Sequence, residues 1–135
     1  MATPTEATKT ILLADDNLVI VTAYRTILAR EGFKVVVAED GVAAAKMLAA
    51  EKPDLVVMDL MMPRLTGTDV IKFIRNTPAT STLPIVVLSD ASIADIGQEA
   101  IKLGVEKVFL KAQCTPAALV AAIKELLGGP SQAAA

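Results

Sequence analysis

The chain has 135 residues, 53% hydrophobic and 21% charged, with a formal net charge of −2 and no basic block. That is room for one domain with a real core and too little for two, and it excludes a disordered chain. The charge balance argues against nucleic acid as an obligatory partner, and no apolar run approaches the roughly 20 residues a membrane helix needs.

Residues 1–8 form a Thr/Ala/Pro tail, expected to be flexible, and "MATPTEATK" lacks the apolar segment of a signal peptide. The first strand is expected over Thr10–Ala14 and runs straight into Asp15 and Asp16. Ile20, Ala23, Tyr24, Ile27 and Leu28 then follow the spacing of an apolar helical stripe, and Gly32 suits a left-handed C-cap. A second strand reads over Phe33–Ala38, followed by an Asp40-Gly41 turn and a helix over Gly41–Glu51. The third strand, Asp54–Met58, is followed by Asp59, and Met58, Met61 and Met62 read as packing residues. A helix over Thr66–Asn76, a strand over Pro84–Leu88 and a helix over Ser92–Leu103 come next, with Gly104 at a second left-handed position. The fifth strand is Lys107–Leu110. Cys114 closes no internal disulfide, which fits a reducing cytoplasm, and reads as a half-buried filler. Thr115 and Pro116 suit the N-cap and first turn of a last helix with Leu119, Ala122, Ile123, Leu126 and Leu127 on one face. Residues 128–135, "GGPSQAAA", read as a second flexible tail around a domain over 9–127.

The strands are short, rich in Val, Ile and Leu and mostly without alternation, as in a parallel sheet covered on both faces. Five strand–helix units in strict alternation make an α/β fold, a (βα)5 doubly wound five-stranded parallel sheet with helices on both sides. In such sheets ligands bind outside the carboxyl ends of the strands. There the chain places Asp15 and Asp16, Asp59, Ser89 with Asp90, and Lys111.

With no histidine anywhere, imidazole base chemistry and histidine metal sites are excluded. Three crowded carboxylates repel unless a positive group intervenes. A hard, oxygen-preferring ion such as Mg²⁺ suits them, and Lys111 supplies an ammonium. With the Ser89 hydroxyl as a further donor, the set reads as a site that takes up a phosphoryl group on an aspartate. Asn17 fits the helix-capping role that would otherwise explain the acidic pair.

"LLADDN", "VVMDLMMPRLTG", "PIVVLSDAS" and "VFLK", in order and each at a strand end, resemble the receiver domain of two-component response regulators over roughly Lys9–Leu127. The resemblance implies a flavodoxin-like strand order 2-1-3-4-5 and a phosphoacceptor at Asp59. The donor is then a histidine kinase or phosphotransfer protein. Asp16 and Asp59 become direct ligands of Mg²⁺ (or Mn²⁺), with the backbone carbonyl of Met61 as a third, and Asp15 acts through metal-bound water. Ser89 becomes a switch hydroxyl, and Lys111 pairs with the phosphate. Pro63 and Gly67 belong to the turn that shapes the site. The resemblance implies a stand-alone signalling relay and not a metabolic enzyme, with self-catalysed phosphotransfer and autodephosphorylation. Its output would be a downstream protein or a self-dimer, through the face of the fourth helix, fifth strand and fifth helix.

Three positions depart from the pattern. Asp90 stands where a small residue is usual and puts a carboxylate near the phosphoryl approach path, unless Ala91 takes that place. Val108 occupies the place of the switch aromatic, and Phe109, one residue on, points to the opposite face. Ala112 follows Lys111 where a cis proline is common. These departures leave open a constitutive interaction module with the same fold. A metal-dependent phosphohydrolase lacks room for a substrate cap, and a flavodoxin-type carrier lacks its Ser/Thr-rich phosphate loop after the first strand.

Overall fold

A computed structural model of the chain describes residues 8–60, 67–89 and 101–127. Five parallel strands, β1 Thr10–Ala14, β2 Lys34–Ala38, β3 Leu55–Asp59, β4 Ile85–Ser89 and β5 Lys107–Leu110, lie in the order β2-β1-β3-β4-β5. This is the doubly wound arrangement expected from the alternation of elements. The pleat sends alternate side chains to opposite faces. Leu12, Val56, Met58, Ile85 and Val87 join the core under α2 (Gly41–Glu51) and α3 (Gly67–Asn76). Ile11, Leu13, Leu55, Val57, Val86 and Leu88 join the core under α1 (Leu18–Arg30) and the C-terminal helix (Pro116–Leu126). Strands β3 and β4 are buried throughout, which explains their lack of alternation, while the edge strand β5 is half-buried.

The helix starts follow from local chemistry. Asn17 Oδ1 accepts from the Val19 and Ile20 N–H groups at 3.0 and 3.3 Å. Asp40 accepts from the Ala43 N–H at 2.8 Å, and the Thr115 hydroxyl from that of Ala118 at 3.1 Å, with Pro116 following. Gly32 and Gly104 have φ of +94° and +83°, the left-handed positions their sequence places suggested.

Several boundaries move. Strand β2 begins at Lys34, and β3 and β4 run one residue later than their apolar runs, ending on Asp59 and Ser89. Pairing decides this. The ladder extends to Asp59 opposite Leu88 and to Ser89 opposite Leu110, while the Asp54 carboxylate turns aside to accept from the Thr10 N–H at 2.7 Å. On α1 the buried residues are Val21, Tyr24 and Leu28; Ile20 and Ile27 are half-buried and Ala23 is exposed, so the stripe is turned relative to its sequence reading. Of the expected helix over Ser92–Leu103, Ile101 and Lys102 are helical and residues 92–100 lie outside the described residues, as do residues 1–7 and 128–135 of the two tails.

Arg75, on the last turn of α3, ties the far edge together. Its guanidinium donates to the carbonyls of Leu103 (3.1 Å), Ser81 (3.1 Å), Leu83 (2.8 Å) and Gly104 (2.7 Å) and to Glu106 (3.4 Å). Glu106 in turn accepts from the Ile85 N–H at 2.8 Å, at the start of β4.

Candidate functional site

The strand register assembles the site. Ala14 lies opposite Met58, so Asp15 leaves β1 beside Asp59 at the end of β3. Asp59 pairs with Leu88, and Ser89 with Leu110, which brings the β4 hydroxyl and Lys111 to the same edge. Asp15, Asp59 and Ser89 are buried and Asp16 is exposed.

Lys111 sits between two carboxylates. Its Nζ donates to Asp59 Oδ2 at 3.0 Å and to Asp15 Oδ1 at 3.3 Å, and lies 3.1 Å from Asp15 Oδ2. The sequence suggested an ammonium among the carboxylates; the structure has it holding two of them. Asp15 Oδ1 also accepts from the Asn17 N–H at 2.9 Å, while its buried Oδ2 has no aligned hydrogen-bond donor among the described residues.

Burial is the largest influence on Asp15 and pushes its carboxyl up. The Asn17 N–H and Lys111 pull it back, and the Asp59 charge pushes it further. Burial works against the Lys111 ammonium, but its hydrogen bonds to Asp59 and Asp15 and the charges of both outweigh it and hold the group above its ordinary value.

Asp15, Asp16 and Asp59 each offer a carboxylate oxygen, and the three lie within 4.8 Å of one another. Hard oxygen donors at that spacing, with a buried Asp15 oxygen that no aligned hydrogen-bond donor among the described residues fills, fit a divalent cation of the Mg²⁺ type. Met61, Pro63, Asp90 and Ala91 lie outside the described residues. Gly67 opens α3 against the site: a Cβ there would stand 2.5 Å from the Asp59 carbonyl oxygen, and its N–H donates to the Leu60 carbonyl at 3.0 Å.

Beyond Lys111 the chain turns once, as a 3-10 turn over Lys111–Gln113, and all peptide bonds among the described residues are trans. Val108 packs against the core under α2 and α3, and Phe109 against the core under α1, so the two point to opposite faces as their spacing requires. Sequence reasoning counted Tyr24 only as an apolar stripe member. Its hydroxyl donates to the Cys114 carbonyl at 2.9 Å, just past this turn. An apolar groove between α2 and α3, lined by Leu48, Phe73 and Leu83 among others, lies at the opposite edge of the sheet from the acidic cluster.

Residues 11–124 match the model of the response regulator receiver domain. The response regulator MprA of Mycobacterium tuberculosis is 42% identical over 79 residues, which are 58% of this chain and 34% of that protein. MprA of Mycobacterium avium shows the same identity over the same length, so the match spans about a third of these curated relatives. Among solved structures, the receiver domain of the Francisella response regulator 1452 aligns with a TM-score of 0.81 at 26% identity, covering 89% of this chain and 97% of that one. The receiver domain of the sensor histidine kinase PA1611 from Pseudomonas aeruginosa aligns with a TM-score of 0.82 at 24% identity, over 91% of this chain and all of that one; it carries a magnesium ion in its active-site cleft.

Proposed function

The chain belongs to the response regulator receiver domain family, and we propose that it is a phosphoacceptor that takes a phosphoryl group on Asp59 from a histidine kinase or phosphotransfer protein. One observation carries this reading: a buried carboxylate at the end of β3 is gripped by a buried ammonium within a cluster of three acids. In the transfer an Asp59 carboxylate oxygen attacks phosphorus, the new O–P bond replaces the donor's N–P bond, and the imidazole leaves with that bond's electron pair. Lys111, already 3.0 Å from Asp59 Oδ2, is placed to pair with the phosphoryl oxygens. Ser89, buried at the end of the neighbouring strand, would donate its hydroxyl to one of them.

Asp16 and Asp59 would hold Mg²⁺ (or Mn²⁺) directly with the Met61 carbonyl, and Asp15 through water. When bound, the cation neutralises charge that would otherwise accumulate between acceptor and donor. The Asn17 N–H and Lys111 orient Asp15 for that task. Phosphorylation then shifts an equilibrium between two states of a protein-binding surface, whose reader is a downstream protein or a second copy of the chain. Such a relay works in the cytoplasm without a metabolic substrate, and no helix among the described residues is long and apolar enough to cross a membrane.

The placement of Val108 favours a second reading, a module that binds its partner regardless of phosphate. The test common to both is intact mass after incubation with acetyl phosphate and Mg²⁺, beside Asp59→Asn and a chelator control. A single phosphate gained by the native chain and absent from both controls supports the phosphoacceptor. No gain, from acetyl phosphate or from a phosphorylated kinase, rejects it in favour of the constitutive module.

A further inference from the structure

Tyr24 is the chain's single tyrosine, and its ring is buried on the α1 side of the sheet. Its hydroxyl reaches across 90 positions of sequence to the Cys114 carbonyl. What it grips is a short segment with little rigidity of its own. Lys111, Ala112, Gln113 and Cys114 include no proline to fix the backbone. The turn they make is closed by a Cys114 N–H to Lys111 carbonyl bond of 3.4 Å, which is long for its kind. At its other end, α1 begins directly after Asp15, Asp16 and Asn17. One hydroxyl therefore joins the helix that follows the acidic pair to the turn that follows the ammonium. The tolerance there is small, because Lys111 Nζ is held within 3.3 Å of two different carboxylates at once.

We propose that Tyr24 is a positioning residue: its hydroxyl, bound to the Cys114 carbonyl, fixes the turn that presents Lys111 to Asp15 and Asp59 and thereby sets how fast Asp59 takes up a phosphoryl group. The proposal rests on the phosphoacceptor reading of Asp59. Tyr24 acts through Lys111, so its contribution to the reaction depends on that ammonium being present, whereas its contribution to packing does not.

Tyr24→Phe keeps the ring and removes the hydroxyl. Phosphate uptake from acetyl phosphate with Mg²⁺ is followed by intact mass in the native chain, Tyr24→Phe, Lys111→Ala and the double variant. The loss of one buried hydrogen bond predicts uptake roughly three- to tenfold slower in Tyr24→Phe than in the native chain. In the Lys111→Ala background the same change has no further effect on the rate. Equal rates in the native chain and Tyr24→Phe overturn the proposal, and so does an equal fold-loss in both backgrounds, the mark of a merely structural role. Native uptake with either result leaves the phosphoacceptor reading standing, whereas no native uptake rejects that reading and the proposal with it. A second measurement avoids a disruptive variant altogether. Fluorotyrosine at the single tyrosine gives one fluorine resonance, which should shift when Mg²⁺ and beryllofluoride are added, because coupling between two sites is reciprocal. An unshifted resonance in a chain that binds beryllofluoride overturns the proposal.

Discussion

Replacing Gly67 by alanine should injure both the fold and the site, for a reason that has nothing to do with backbone freedom. The new Cβ would meet the Asp59 carbonyl oxygen at 2.5 Å, the Leu60 Cα at 2.6 Å and the Leu60 Cδ2 at 3.1 Å. Ordinary contact begins at 3.4 Å, so the start of α3 must retreat by about 0.9 Å from a strand end that is itself buried. Overpacking of this kind costs about 1–3 kcal/mol. The retreat also stretches the 3.0 Å bond from the Gly67 N–H to the Leu60 carbonyl, worth about 1 kcal/mol. Together these are about 2–4 kcal/mol, or a melting temperature lower by about 8–16 °C for a domain of this size. The same contact pushes back on the Asp59 backbone, and a misplacement of about 1 Å at a reacting group costs on the order of a hundredfold in rate, so phosphate uptake should fall by up to about that factor. Gly32→Ala is the comparison. Its φ is +94° and nothing lies within 4 Å of its Cβ position, so it costs about 1–2 kcal/mol through the backbone alone and leaves uptake unchanged. Thermal melts and intact-mass time courses on both variants check the reasoning. Gly67→Ala melting within about 2 °C of the native chain with native uptake, or Gly32→Ala matching its losses, would refute the steric account.

Lys111→Met should leave two buried carboxylates facing each other without their shared cation. Urea melts in chelator should show a loss of about 3 kcal/mol, partly restored by Mg²⁺, and superimposable curves with and without the metal would count against the acidic cluster as a cation site. Arg75→Ala removes donors from four carbonyls and Glu106 and should cost about 2–3 kcal/mol, which Arg75→Lys does not recover, because a point charge cannot reproduce the planar fork; equal melts for Lys and Arg at this position would contradict this. At alkaline pH the sign is set by burial, which holds the Cys114 thiol and the Tyr24 hydroxyl above their ordinary values of 9.0 and 10.0. The unfolded chain ionises first, so stability that is full below about pH 9 falls as pH rises toward the folded-state values. Urea midpoints at about pH 8 and pH 10.5 should therefore drop less in Tyr24→Phe than in the native chain, and identical drops would show that the hydroxyl does not contribute.

The sheet was legible because burial on both faces writes itself into short apolar runs, and such runs need no distant partner to be seen. The cluster of Asp15, Asp16, Asp59, Ser89 and Lys111 was legible for a related reason: parallel strands carry their final residues to one edge whatever lies between them. The opposite facing of Val108 and Phe109 followed from the period of two. Strand ends were less legible, since whether Asp59 and Ser89 close a strand or begin a loop depends on the ladder partners Leu88 and Leu110. The turned stripe of α1 depends on how the helix lies across the sheet, which no spacing within Ile20–Leu28 reveals. Long-range polar contacts were the least legible. Tyr24 satisfies a carbonyl 90 residues away and Arg75 satisfies carbonyls on two separate loops, and in the sequence each reads as a helix residue and nothing more.

The electrostatics of the described site also explain why Lys111 must be held so closely. Asp15 and Asp59 share one ammonium with the exposed Asp16 carboxylate beside them, which leaves an excess of negative charge at a strand edge where two of the acids are shielded from water. A divalent cation at the cluster, as proposed, brings the group to neutrality. Esterifying Asp59 then removes one carboxylate charge and adds a phosphoryl group of about −1.5 to −2, so the local balance shifts by no more than about one charge. In water that change would be weakly felt. Beside buried Ser89 and Lys111 it is worth several-fold more, because the effective dielectric there is lower. A lysine free to swing toward solvent would damp the change by taking its charge out of the site. On the phosphoacceptor reading, one gripped by two carboxylates, beside the turn that Tyr24 bonds, would answer it by moving toward the phosphoryl oxygens. A signal that leaves the site by this route would then begin with the Lys111 contacts at Asp15.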